Sequence, residues 1–305
     1  MDMYKKREIR KKKREENNEF DKSCTSVNIN WYPGHMAKTR RKIKENINLI
    51  DIIFEVIDSR IPFSSKIKDI DDIIRTKKHI IIMTKKDLCD IKETKKWADY
   101  YEKMGKRVIL MDLTNNSDYK KLYSLAEIET KDLVEKRKEK GIVRSEIRAL
   151  VVGVPNAGKS TLINALAGKK VATTGNKPGV TKQVNWLKTN SNLLLLDTPG
   201  ILWPKIDNQV VSLNLAALTA IKSDILNIVD IATYIIMYLS KNYKTILDEK
   251  YKIDSTSDVL ENYEMIAKKM GFIYGGEVDY DKVSLRIYND LASGKIKGVT
   301  FDRRD

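Results

Sequence analysis

Gly153-Val154-Pro155-Asn156-Ala157-Gly158-Lys159-Ser160 has the composition and spacing of a phosphate-binding loop. The apolar run from Ala149 to Val152 before it predicts a strand, and Thr161 to Leu166 after it predicts a helix. Such a loop needs that context. Its glycines let backbone N–H groups turn inward around phosphate oxygens, and the start of the following helix adds positive potential. Asn156, Ala157, Gly158, Lys159, Ser160 and Thr161 are therefore the candidate phosphate-binding residues. Lys159 supplies a point charge for the outer phosphates, and the Ser160 hydroxyl suits Mg²⁺. The bland alternative, a structural glycine-rich turn, is disfavoured by the strand–loop–helix context.

Downstream, the apolar run Leu193 to Leu196 ends at Asp197-Thr198-Pro199-Gly200, which puts a carboxylate where a strand leaves its sheet. Ligands of open α/β sheets bind at that edge. There Asp197 would hold Mg²⁺ through water and the Gly200 N–H would meet a γ-phosphate. Between the two motifs, the breaker-rich segment Gly175 to Lys182 carries Thr181, whose hydroxyl could close onto Mg²⁺ only while a γ-phosphate is present.

Together with Thr84-Lys85-Lys86-Asp87 at the end of another predicted strand, these features resemble the motif set of the small GTPases. The resemblance implies that Asp87 accepts two hydrogen bonds from guanine, which adenine cannot offer, and that the Lys85 stem lies over the base. Lys86 belongs to the same loop, and Thr84 stands where the family has asparagine, so guanine selectivity rests more on Asp87. The order is unusual, because Asp87 precedes the phosphate loop by more than sixty positions. A circular permutation explains this, since rejoining a compact domain at surface termini leaves the strand ends in place. Asp112-Leu113-Thr114 is assigned as the base-flanking loop by position only.

Trp31-Tyr32-Pro33-Gly34-His35-Met36-Ala37-Lys38, Asp58-Ser59-Arg60-Ile61-Pro62 and Leu202-Trp203-Pro204 complete a resemblance, over roughly residues 29–305, to the circularly permuted GTPases typified by ribosome biogenesis GTPase A. It implies GTP hydrolysis coupled to maturation of the large (50S) ribosomal subunit, with rRNA and ribosomal proteins of its precursor as partners. Ile201 occupies the position of the water-orienting glutamine of Ras-like proteins; the family assigns that task to a histidine, which carries onto His35. It also implies that Asn156 helps hold K⁺ in place of an arginine finger. His79 reads as structural.

To position these residues, the middle of the chain must alternate strands and helices around a parallel sheet. The strands are expected at Ile52 to Ile57, His79 to Thr84, Val108 to Met111, Ala149 to Val152 and Leu193 to Leu196. Helices are expected at Lys92 to Met104 and Tyr119 to Glu139. Beyond Pro204 apolar residues recur at helical spacing, including Thr256 to Met270 and Tyr280 to Ala292. The expected fold is thus a circularly permuted α/β P-loop GTPase domain over 29–204, after a basic, flexible tail at 1–28, with a small all-α domain over 205–305.

The 305 residues carry a net charge of +15, distributed as +3 over 1–22, +13 over 23–204 and −1 over 205–305. Such basicity favours a polyanionic partner, and its location puts electrostatic attraction on the nucleotide-hydrolysing part. The segments Lys38 to Lys44 and Lys136 to Arg148 could meet phosphates, although either alone reads equally as a solvated helix face. A mean hydropathy of −0.43 argues against a membrane-spanning bundle. Two isolated cysteines, Cys24 and Cys89, support neither a disulfide framework nor a zinc site. The expectation is a monomer off the ribosome, in the bacterial cytoplasm, with a mitochondrial home as the alternative. Two other readings stay open: an RNA-binding module whose nucleotide site is mainly structural, and an ATP-dependent enzyme.

Overall fold

Seven residues of nearly unbroken apolar character, Ile52–Asp58, form β1, which is buried along its whole length. A strand hydrophobic on both faces belongs at the centre of a parallel sheet, and β1 lies there, between β2 (Lys78–Thr84) and β4 (Ile147–Gly153). The computed structural model describes residues 32–68, 70–74, 77–142, 146–168, 185–189, 191–203 and 206–304. The expected tail, Thr181 and the expected boundary at Pro204 lie outside these residues.

With β3 (Arg107–Leu110), β5 (Asn185–Lys188) and β6 (Leu193–Asp197), the sheet has the order β3-β2-β1-β4-β6-β5. All neighbours are parallel except β5 and β6. From β1 the chain builds outward through β2 and β3, then returns to lay β4 on the other side of β1 and continues to β6. The direction of winding therefore reverses between β1 and β4, and the crevice at their carboxyl ends is where such a sheet takes a ligand. Thr84, Asp58, Gly153 and Asp197 end four of the parallel strands and share that edge.

The helices follow their local signals. Helix α1 (Gly34–Asn46) buries Met36, Thr39 and Ile43, while α2 (Ile70–Ile74) is a short turn before β2. The Asp90 carboxylate caps α3 (Ile91–Lys103), and Asn115 caps α4 (Asn116–Glu139). Helix α5 (Lys159–Ala167) differs: it starts from Gly158 in the left-handed region, at φ 98°, and has no side-chain cap. Its first N–H groups point instead toward the phosphate loop's concavity.

The C-terminal part consists of α6 (Gln209–Ala217), α7 (Ile228–Asn242), α8 (Lys244–Tyr251), α9 (Val259–Met270) and α10 (Tyr280–Ala292). Helix α7 packs against the other four. A two-residue hairpin, Ile273–Tyr274 with Glu277–Val278, turns through Gly275-Gly276 and departs from the purely helical expectation. Beyond α10 the chain returns to the sheet's ligand edge. Gly298 N–H donates to Leu88 O at 2.8 Å, Phe301 N–H to Arg60 O at 2.7 Å, and the Trp97 indole to Asp302 O at 2.9 Å. Phe301 stacks on Tyr238 of α7 at 4.5 Å, so one apolar cluster runs from the sheet into the helices. No helix among the described residues is long and apolar enough to cross a membrane.

Candidate nucleotide site

The phosphate loop needs glycine at two positions, Gly153 for a close backbone approach and Gly158 for a left-handed backbone. A Cβ on Gly153 would come within 2.2 Å of Val56 O, and one on Gly158 within 3.0 Å of Leu113 Cδ1. Lys159 is buried, and its ammonium donates to Val154 O at 2.7 Å. Burial lowers its pKa to about 8, against the raising influence of Asp197. Asp197 is buried at the end of β6, its Oδ1 accepts no hydrogen bond, and burial pushes its carboxyl up to about 6 despite Lys159.

Two opposite charges are thus both penalised by a low-dielectric setting, one of them incompletely partnered. An arriving phosphate and divalent cation would relieve both. No cluster of three or more His, Cys, Asp or Glu forms a metal site among the described residues. The unpartnered buried oxygen of Asp197, with the Ser160 hydroxyl, would suit Mg²⁺ that keeps several of its waters, the usual arrangement for this ion. Thr161 is exposed on the first turn of α5.

Facing this is the loop after β2. Lys85 adopts a left-handed backbone, φ 58°, and its ammonium donates to Asp58 Oδ2 and to Asn156 O, both at 2.7 Å. Thr84 is fully buried, and its hydroxyl donates to Ala157 O at 2.6 Å. It therefore ties the base loop to the phosphate loop. Asp87 is exposed beyond them, where it can meet a base edge. The Lys86 N–H donates to Met111 O, joining the loops after β2 and β3. Leu113 of the latter touches Gly158, so this loop does reach the phosphate loop. The Asp112 carboxylate accepts from the Thr114 N–H and hydroxyl at 2.8 and 2.7 Å, shaping its own turn.

On the hydrolysis side, Gly200 lies against the phosphate loop, where a Cβ would come within 2.8 Å of Pro155 Cα. The Ile201 N–H donates to Gly153 O at 3.1 Å, and the Ile201 side chain is buried. His35 is the second residue of α1; beside it, the Met36 sulfur accepts from Leu202 N–H at 3.4 Å. The start of α1 is thereby fixed next to the turn that carries Gly200. Partial burial, then the Lys222 ammonium, hold the His35 imidazole below its ordinary pKa and so neutral at pH 7. His79 instead lies at 3.0 Å from Glu55 in the interior of the sheet.

Four residues at the site escaped the sequence reading in this role. Asp58 takes both Arg60 and Lys85; burial alone would raise its carboxyl, but these two cations hold it well below the usual range. Their signal was a charged pair at the end of an apolar strand. Thr219, in the left-handed region at φ 63°, accepts from the Asn156 amide through both its carbonyl, at 2.7 Å, and its hydroxyl, at 3.0 Å. Neither Thr219 nor Lys222 carries a sequence signal for this placement.

A family described as "50S ribosome-binding GTPase" matches residues 148–268, beginning within the strand that leads into the phosphate loop and leaving Thr84 to Asp87 upstream. The chain is 41% identical over 276 residues to the ribosome biogenesis GTPase A of Bacillus cereus, covering 90% of this chain and 93% of the relative. It is 40% identical over 279 residues to the Priestia megaterium protein of the same name, covering 90% and 97%. A GDP-bound YlqF structure superposes with a TM-score of 0.60 at 28% identity, covering 86% of this chain and 99% of that one.

Proposed function

The chain belongs to the ribosome biogenesis GTPase A family, a group of circularly permuted GTPases that act with GTP and Mg²⁺, and on that premise we propose how it works. It binds the precursor of the large (50S) subunit in its GTP state, hydrolyses GTP under stimulation by that particle, and leaves after hydrolysis. The observation that carries this reading is the buried Lys159–Asp197 couple, one carboxylate oxygen of which is unpartnered, at the winding reversal and opposite Lys85 and Asp87.

In this reading the backbone from Asn156 to Thr161 and the Lys159 ammonium hold the phosphates. Ser160, Thr181 and Asp197 hold Mg²⁺, and the Gly200 N–H meets the γ-phosphate. When bound, Mg²⁺ would neutralise charge developing on the phosphate oxygens. Asp87 selects guanine over the Lys85 stem, with Lys86, Asp112 and Leu113 flanking the base. His35, kept neutral, accepts a hydrogen bond from the attacking water and orients it in line. Asn156, whose amide donates to Thr219, helps to hold K⁺. Residues 29–204 act as the hydrolytic part and 205–305 as the docking part, in a monomer of the bacterial cytoplasm, with a mitochondrial home as the alternative; the basic residues 1–28 add attraction to RNA.

Turnover of GTP and ATP, with and without large subunits, tests this for the wild type and His35→Ala. The expected outcome is GTP-selective, subunit-stimulated hydrolysis that is faster in KCl than in NaCl. His35→Ala should lose about 10²-fold in kcat with nucleotide affinity retained. Wild-type protein that binds subunits but turns over no nucleotide would favour an RNA-binding module with a structural nucleotide site.

A further inference from the structure

The motif Asp58-Ser59-Arg60 has no part in the chemistry above, yet its side chains are among the most deeply buried charges in the protein. Arg60 is 1% exposed. Its Nε and Nη2 donate to the two Asp58 oxygens at 3.1 and 2.9 Å, and its Nη1 reaches across to Leu291 O at the end of α10, 3.0 Å away. Its own carbonyl accepts from Phe301 N–H at 2.7 Å. From Asp58 the path continues through the Lys85 ammonium to Asn156 O, and from the Asn156 amide to Thr219 beyond α6. Helices α6 and α10 are in contact. The hydrogen bonds, with the α6–α10 contact, therefore close a ring: it leaves the helical part at Leu291 and Phe301, crosses the base loop and the phosphate loop, and re-enters the helical part at Thr219.

We propose that Arg60 is a positioning residue for Lys85 and that, through this ring, the helical part responds to a guanine nucleotide at the base loop whether or not a γ-phosphate is present. This rests on the nucleotide site proposed above. A base lying over the Lys85 stem favours the one arrangement in which its ammonium reaches both Asp58 and Asn156. That arrangement holds Asp58, and hence Arg60, in register with Leu291 and Phe301. Coupling of this kind is reciprocal, so displacing the helical part must weaken nucleotide binding by the same factor, about tenfold for a typical coupled pair. The ring passes through Asn156 of the phosphate loop but includes neither Gly200 nor Thr181, the groups assigned above to sensing the γ-phosphate. GDP therefore engages it as well as GTP, unlike a route through Gly200 to Trp203.

Amide hydrogen exchange on the full chain, with and without saturating GDP and Mg²⁺, tests the proposal. In the wild type GDP should slow exchange at Gly298 to Phe301 as well as at 153–160. Arg60→Lys keeps the charge but removes the donor to Leu291 O. It should abolish the slowing at Gly298 to Phe301, keep it at 153–160, and weaken GDP about tenfold. Lys85→Met, which leaves Arg60 paired to Asp58, should uncouple the two regions in the same way and serves if Arg60→Lys does not fold. GDP that protects 153–160 but never reaches Gly298 to Phe301 overturns the inference and leaves the proposed function standing. Variants that exchange faster everywhere yet retain the GDP-dependent difference also overturn it, since they make Arg60 merely structural. Wild-type protein that binds no GDP overturns both readings.

Discussion

At the base wall of the site, Lys85, Asp58, Arg60 and Thr84 direct their polar atoms at one another or at backbone carbonyls. At the phosphate wall, a buried Asp197 oxygen accepts nothing and Lys159 turns back onto a carbonyl of its own loop. The two walls stand on neighbouring strands at one sheet edge, yet they treat buried charge in opposite ways. The base wall is complete without ligand, so under the proposed function it would recognise by shape that already exists. The phosphate wall holds charge at a cost that only ligand relieves, so binding energy is concentrated where the chemistry happens.

The same substitution in each wall gives the largest test of this contrast. Asp197→Asn should lower Mg²⁺-dependent hydrolysis by about 10²–10³-fold, in the range for removing one charge-stabilising group, without lowering the melting temperature of the nucleotide-free protein. Asp58→Asn leaves Arg60 and Lys85 buried without their anion and should cost about 3–5 kcal/mol in denaturant unfolding. Equal stability losses in the two variants would erase the distinction between the walls.

The pH dependence sharpens it. Asp197 titrates near 6 in the folded chain, above its ordinary 3.8, so the stability it contributes is fully present below about pH 4 and lost as pH rises through 6. Asp58 is shifted the other way, so its contribution is present above its ordinary pKa and disappears only well below it. Between pH 4 and 6 the nucleotide-free protein should therefore lose up to about 3 kcal/mol through Asp197. Asp302, buried behind the base wall and also near 6, adds to the same slope. Unfolding midpoints across that window should show Asp197→Asn with a shallower decline than the wild type and Asp58→Asn with an unchanged one. The smallest effect is expected from Thr84→Val, which keeps shape but removes the hydroxyl on Ala157 O. It should weaken GDP by about fivefold, or about 1 kcal/mol, in a binding titration.

The parallel strands were legible because strands buried on both faces are written as unbroken apolar runs, and the phosphate loop because its chemistry is packed into eight consecutive residues. The edge strand Asn185–Lys188 was not, since its four residues take their pairing from β6. Helix α1 was read as the His35 motif followed by a basic segment, with no core-facing stripe, because its buried residues Met36 and Ile43 are two turns apart among lysines and arginines. The hairpin at Ile273–Val278 had a signal in Gly275-Gly276 that its short flanks obscured. The Arg60 and Thr219 contacts were beyond reach for a different reason: they involve backbone carbonyls, which leave no trace in side-chain type.

The reach from Arg60 to Leu291 also fixes an order in time. The two residues are 231 positions apart, and Phe301, which completes the same wall, comes later still in the chain. A chain made from its N-terminus folds β1 to β6 while these residues are still being added. The phosphate loop, whose partners named above lie upstream of residue 220, can take shape earlier in synthesis. The base wall receives its final hydrogen bonds only after Leu291 and Phe301 have been made, so it closes after the phosphate loop.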